Sequence, residues 1–243
     1  IGVGPSTLRV NTSGTRNIAL GQDSQRYNTT GQYNVSMGVG ALRDNVGMNG
    51  SVAVGYQSMM FANSAASGDT YNTAIGYEAL RGSSSPANNT GKWNTSVGYM
   101  SLKSNTSGNI NTAIGYLSLE SNTTGTGNIA IGANSLKSNT TAGENTAVGA
   151  QTLVNNTAPG NVAIGSGSLF ANTTGASNVS LGSSALNYNT TGDQNSSLGH
   201  QSLGSNTEGD FNIGIGKLSG FSNTVGNKNT FLGTDSDASS NNL

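Results

Sequence analysis

The sequence predicts an all-β fold, a parallel β-solenoid of about 14 coils, and three observations predict it. First, a pentapeptide of the form Asn-x-small-aliphatic-Gly recurs along the whole 243-residue chain. Its glycines are Gly21, Gly38, Gly55, Gly76, Gly98, Gly115, Gly132, Gly149, Gly165, Gly182, Gly199, Gly216 and Gly233, with Gly4 in front. Of the 13 intervals, ten are 17 residues, one is 16 and two are 21 and 22. A period this short holds one coil of a solenoid, not a helix pair or a propeller blade. Second, residues of one kind fall in fixed columns of the repeat. Third, Gly and Asn supply 36 and 34 residues while charged residues are only 9%. That is a composition of turns and stacked amides rather than of a broad core.

The strand comes first in each coil. Three residues before the glycine stand mostly β-branched side chains such as Ile18, Val35, Thr73, Thr112 and Val179, which suit a pleated surface. The residue before each glycine is always aliphatic (Leu20, Val54, Ile75, Ile114, Leu198), and four after it stands a leucine or Met59 (Leu8, Leu42, Leu119, Leu153, Leu203), with Gln25 and Gly220 as exceptions. These two columns are expected to form the core. Between the strand's two larger residues lies a small one, Ala19, Ser36, Ala74, Ala113 or Ser180, broken only by Phe231. This uncharged Ala/Ser face is expected either to meet a second chain laterally or to fit a tight bend inside the coil.

The arc comes next. Ser-Leu-x-x-Asn reads as a second short strand or a single helical turn, and periodicity leaves both open. It leads into an Asn-Thr-Thr-Gly turn, whose glycine (Gly31, Gly108, Gly175) is expected to supply a positive-φ corner. One asparagine column starts the strands and another sits seven after the glycine, so amide side chains are expected to hydrogen-bond along the stack. The turn asparagines Asn11, Asn28, Asn105, Asn122, Asn139, Asn172 and Asn189 are all in Asn-x-Ser/Thr sequons. On a secreted chain they would form an exposed row of candidate glycosylation sites; the alternative is a bare amide ladder.

The repeat predicts one solenoid domain over 1–243, with longer coils at 60–71 and 81–93 and a tail or linker at 234–243. The inserted segments bring Tyr71, Pro86 and Trp93, candidate contact residues because insertions in solenoids gather on one face. Ile1 and Val3 at one end and Phe211, Phe221 and Phe231 at the other are candidate end contacts. Each coil is unstable alone, and no polar capping helix stands at either end, so end-to-end stacking with copies of the chain is expected. At ~4.8 Å per coil the stack would be a rod of roughly 65 Å.

Little chemistry is visible. The chain has no Cys and one His, His200, in a variable column. The 11 carboxylates are scattered, and Asp235-Ser-Asp237 is only a weak metal candidate. No nucleophile context or phosphate loop is present. With a net charge of −1 and few basic residues, nucleic-acid binding is not expected, and no apolar run approaches a membrane span. The chain therefore reads as non-enzymatic, with no catalytic, cofactor or metal site.

Runs such as Asn111-Thr-Ala-Ile-Gly-Tyr-Leu-Ser-Leu-Glu-Ser-Asn-Thr-Thr-Gly125 resemble a 17-residue repeat of bacterial and phage surface and tail-fibre-like proteins. The pentapeptide is also similar to that of trimeric autotransporter adhesin heads. The resemblance spans essentially the whole chain and implies a β-roll at a cell or virion surface. No heptad stalk, anchor or self-cleaving chaperone domain is visible, so trimerisation and anchorage are not carried over. Three functions follow as expectations: an extracellular structural filament subunit, an adhesin or tail-fibre shaft binding surface glycans, and an ice-binding solenoid carried by Thr73, Thr95, Thr112 and Thr146.

Overall fold

The structure is a computed structural model that describes residues 1–61 and 67–237. The chain divides into two compact units, Ile1–Gly127 and Asn128–Leu243. Both are parallel β-solenoids, and between them they hold about 13 turns of about 17 residues.

The first unit contains β1 (Gly2–Val3), β2 (Ile18–Leu20), β3 (Val35–Met37), β4 (Gly47–Asn49), β5 (Val52–Val54), β6 (Ser67–Asp69), β7 (Thr73–Ile75), β8 (Thr95–Val97) and β9 (Thr112–Ile114). Seven of these stack as one sheet in the order β1-β2-β3-β5-β7-β8-β9, each strand parallel to the next and displaced by one repeat. Val54 pairs with Ile75, and Ile75 with Val97, so register survives both long coils. The insertions are absorbed elsewhere: β4 and β6 make a separate parallel pair, and a 3-10 turn forms at Pro86–Asn88.

The second unit stacks β10 (Ile129–Ile131), β11 (Thr146–Val148), β12 (Val162–Ile164), β13 (Val179–Leu181), β14 (Ser196–Leu198), β15 (Ile213–Ile215) and β16 (Thr230–Leu232) in sequence order. Among the described residues there is no α-helix, and none long and apolar enough to cross a membrane.

The core corrects the sequence reading. The leucine column is inside: Leu42, Leu102, Leu119, Leu153, Leu169 and Leu203 are fully buried. The strand residue opposite it is not the aliphatic one but the small one; Ala19, Ala53, Ala74, Ala113, Ala147 and Ala163 are equally buried. Because a strand turns over at each residue, the columns on either side point outward. Ile75 is 41% exposed and Leu198 50%. The interior of so short a coil holds one large side chain per turn, and only Ala, Ser or Gly fits across from it. The last two coils of the second unit exchange the sizes. Phe231 takes the small position and is buried, and Gly220 takes the leucine position, where a Cβ would strike the Phe231 ring and Leu203. The Ala/Ser column is therefore interior filling and cannot be a lateral contact face.

The arc is neither a strand nor a helical turn. Alternate residues fall in the left-handed region, Leu117 at φ 53° and Leu119 at φ 52° in one coil, Ser184 at 55° and Leu186 at 48° in another. The backbone groups stay paired. Leu186 and Tyr188 donate N–H to the next coil (Ser202 O, 3.0 Å; Gly204 O, 3.1 Å), and Asn189 N–H closes back on Leu186 O at 3.1 Å. A left-handed leucine costs about 1–2 kcal/mol, and full burial of its side chain returns about 1.5–3 kcal/mol, so the bulky residue holds the conformation.

Both asparagine columns are buried ladders. In the strand column, Asn161 Oδ1 accepts the Asn178 N–H at 2.9 Å while Asn161 Nδ2 donates to Gly175 O at 2.9 Å. In the turn column, Asn189 Nδ2 donates to Asn172 Oδ1 at 2.8 Å and Asn206 Nδ2 to Asn189 Oδ1 at 2.9 Å. The glycine three after each turn asparagine is not a positive-φ residue, contrary to expectation. Gly175 is required by close approach: a Cβ there would sit 2.5 Å from both Asn172 Oδ1 and Gly192 O. The strand-ending glycine is the positive-φ position, as Gly98 at φ 132° shows.

Gln25 is the flaw in the leucine column. It is fully buried; its Nε2 donates to Ser36 Oγ at 2.9 Å and Ile18 O at 3.1 Å, but its Oε1 has no partner. An unpaired buried acceptor costs about 1–3 kcal/mol. Gln25→Leu is expected to stabilise the protein by about 1–2 kcal/mol in urea unfolding, since Ser36 keeps its 2.6 Å bond to Ser24.

Candidate interaction surface

Turning the small column inward turns two aliphatic columns outward. In the first unit the outward sheet face carries Ile18, Leu20, Val35, Met37, Val52 and Val54, then Thr73, Ile75, Thr95, Val97, Thr112 and Ile114. The second unit repeats the pattern, from Ile129 and Ile131 to Ile213 and Ile215. No charged residue occurs in either column. Exposed strand faces in soluble proteins usually alternate apolar-in with polar-out, and contiguous apolar surface of this kind marks an interaction site.

Aromatic columns flank the sheet in the first unit only. One residue past the strand glycine, Tyr56, Tyr77, Tyr99 and Tyr116 form an exposed stack with centroids 5.0, 5.3 and 5.3 Å apart and rings within 16° of parallel. Just before the strand asparagine, Tyr33, Tyr71, Trp93 and Ile110 are exposed and left-handed, with φ from 49° to 58°. The corresponding positions of the second unit hold one aromatic, Phe211, among residues such as Ala150, Ser183, His200, Glu144, Gln194 and Lys228. Tyr, Trp and Met are the residue types that interface centres favour.

The predicted contact residues divide between these features. Tyr71 and Trp93 belong to the regular flanking column rather than to the insertions themselves; Trp93 is 55% exposed. Residues 62–66 of the first long coil and 238–243 of the tail lie outside the described residues, and Pro86 opens the 3-10 turn of the second. The Tyr71 ring lies over Gly50, where a Cβ would stand 2.8 Å from it. Its hydroxyl donates to Asp69 Oδ2 at 2.9 Å, and Asn49 Nδ2 donates to Asp69 Oδ1 at 3.1 Å. The Asn49 bond, then the Tyr71 bond, hold the Asp69 carboxyl below its ordinary range, and the carboxylate in turn raises the Tyr71 phenol. Asp69→Asn is therefore expected to bring Tyr71 ionisation down toward 10.0, read as the absorbance titration that Tyr71→Phe removes.

Of the end residues, Ile1, Val3 and Phe211 are exposed and Phe221 is half-buried, whereas Phe231 fills the core of the last coil. Of the two readings of the sequon row, the burial and bonding of its asparagines agree with the amide ladder. Asn28, Asn105, Asn122, Asn139, Asn172 and Asn189 are buried in the amide ladder, and only Asn11 is exposed. A side-chain amide engaged on both sides by neighbouring coils presents no nitrogen for a glycan. The turn is at the surface, but its asparagine points inward.

The charged groups serve packing. Glu78 is buried between Lys103 at 2.9 Å and Arg81 at 3.6 Å, and the Arg43 and Arg81 guanidinium groups lie 5.6 and 5.1 Å from the Phe61 ring centre. A cavity of about 20 Å³ beside Phe61, Asn72, Leu80 and Asn89 has room for a single water. Among the described residues, no group of three or more His, Asp or Glu gathers to hold a metal. Sequence reasoning missed the outward aliphatic face and passed over the tyrosine column as a variable slot, although the column was visible at constant offset from the glycine. Searches against protein-family models, curated proteins and solved structures gave no match, so the surface is interpreted from its own chemistry.

Proposed function

We propose that this chain is a non-enzymatic structural protein of an extracellular fibre or shaft, and that copies pack side by side through the outward sheet face of the first unit. The observation that carries the reading is the uncharged aliphatic face flanked by exposed aromatic columns. Three features favour a second copy as the occupant. A copy brings the same strand spacing, so rows of side chains can interdigitate at every coil. Neither surface carries charge at its centre, so no like-charge repulsion opposes the contact. The strands alone project on the order of 300 Å², and the exposed Tyr and Trp rings, each able to bury ~150–250 Å², bring the face to the ~800 Å² that each partner gives a stable interface. The resemblance to surface and tail-fibre repeats fits the same reading and supports a location outside the cell. Sedimentation across a range of protein concentration tests it, with mass above the 24.4 kDa of one chain as the expected result.

A second reading is favoured by one observation. Thr73, Thr95 and Thr112 stand in register on the outward face beside Ile75, Val97 and Ile114, a regular threonine array of the sort an ice-binding surface requires. Measurable thermal hysteresis in a dilute sample, abolished by Thr95→Lys, would move this reading to first place.

A further inference from the structure

We propose that a depression centred on Gly204 in the second unit is a binding subsite for one neutral pyranose ring, a hexose or N-acetylhexosamine presented by a glycan. Five residues after the strand glycine, other coils carry a side chain, commonly a long one such as Arg81, Lys103 or Lys137. Gly204 is the one glycine in that column. Its backbone is not left-handed, so the conformation does not demand glycine. What the missing side chain creates is space. The Phe221 ring leans back toward it, 3.1 Å from where a Cβ would stand, and a depression of about 200 Å³ remains, lined by Ser184, Asn187, Tyr188, Gln201, Gly204 and Phe221.

The lining matches a sugar. Two aromatic side chains, Tyr188 and Phe221, can take the C–H face of a pyranose. Asn187 Nδ2 is held by Gly167 O at 2.7 Å, which fixes the side chain and leaves its Oδ1 to accept. The Ser184 hydroxyl, the Gln201 amide and the Tyr188 hydroxyl have no hydrogen-bond partner among the described residues. Aromatic walls with a few convergent polar groups are the general form of a small-ligand site, and amides pair well with vicinal hydroxyls. No charged residue lines the depression, which selects against phosphorylated or acidic sugars.

The test is saturation-transfer NMR on the full chain with the methyl glycosides of glucose, galactose, mannose and N-acetylglucosamine. At least one is expected to bind with a Kd in the low millimolar range, and Tyr188→Ala and Gln201→Ala are each expected to weaken it about tenfold. Gly204→Lys, which restores the long side chain of other coils, should abolish binding. Because a Cβ at 204 presses on Phe221, the Tyr188 and Gln201 variants, which lose no hydrogen bond, keep the test separate from folding. Trp93→Ala and Ile75→Lys should bind as the parent does, which separates this site from the packing face. Absence of saturable binding of all four glycosides up to about 50 mM, or binding indifferent to Tyr188→Ala and Gln201→Ala, would overturn the proposal.

Discussion

Asn178→Ala is expected to destabilise the second unit by about 2–3 kcal/mol, a loss set by hydrogen bonds rather than by volume. Asn178 is fully buried. Its Oδ1 accepts the Asn195 N–H at 2.9 Å and Asn195 Nδ2 at 3.1 Å, and its Nδ2 donates to Gly192 O at 2.8 Å and Asn161 Oδ1 at 3.2 Å. Alanine leaves the Asn195 N–H buried and unpaired, at about 1–3 kcal/mol, and takes one of two donors from Gly192 O, which keeps Asn189 Nδ2 at 2.9 Å. Asn178→Asp restores the acceptor but removes the donor and introduces a buried charge, so it should not rescue. Thr174→Ala, at an exposed position of the same coil, should shift stability by less than about 0.5 kcal/mol. The check is the urea midpoint of the three variants. Near-equal midpoints for Asn178→Ala and Thr174→Ala would mean that the ladder is not what holds neighbouring coils together.

Ile75→Lys is expected to abolish side-by-side association and leave the single chain folded. Ile75 stands outward between Val54 and Val97. In the free chain a lysine can lay its stem on that surface and keep its ammonium in water. Against a second copy the ammonium would be buried without a partner, at about 3–5 kcal/mol, so the association constant should fall at least roughly a hundredfold. Thr124→Lys, in an exposed turn, is the control for added charge. Sedimentation and circular dichroism together give the answer: mass falling to one chain with an unchanged spectrum is expected for Ile75→Lys, and parental mass for Thr124→Lys. Equal mass in both variants would remove the sheet face from the assembly.

The fold was legible because the constraint that makes it is periodic. A glycine every 17 residues, an aliphatic before it and an asparagine in each turn cannot be satisfied by another architecture. What stayed hidden was which way the strand faces. Size was read as a sign of burial, so Ile114 and Ile215 were expected inside, while Ala113 was left between a lateral face and a tight bend inside the coil; the isoleucines face outward and Ala113 is buried. The correcting signal was present as two exceptions. Phe231 breaks the small column and Gly220 breaks the leucine column in neighbouring coils, a volume exchange that makes sense only if those two columns meet. The same limit applies to Asn28 and Asn122. The sequon pattern locates a turn, but the direction of its asparagine follows from hydrogen bonds to adjacent coils, which a single repeat does not contain. The tyrosine stack was legible as a column, and its contact was not, because ring spacing depends on register being kept across the two longer coils. The depression at Gly204 was invisible for another reason: one glycine among 36 carries no mark that its role is space.

The chain has no cysteine, so a single introduced thiol reports its own surroundings. The rate at which a maleimide labels Ile114→Cys, measured from dilute to concentrated protein, tests most directly the claim that the aliphatic column faces outward and is covered by a second copy. Rapid labelling in dilute solution that slows steeply as concentration rises is the predicted result, with Ala113→Cys slow throughout. A rate for Ile114→Cys that does not change with concentration would contradict the packing of copies on this face, and a slow rate even at high dilution would contradict the outward orientation itself.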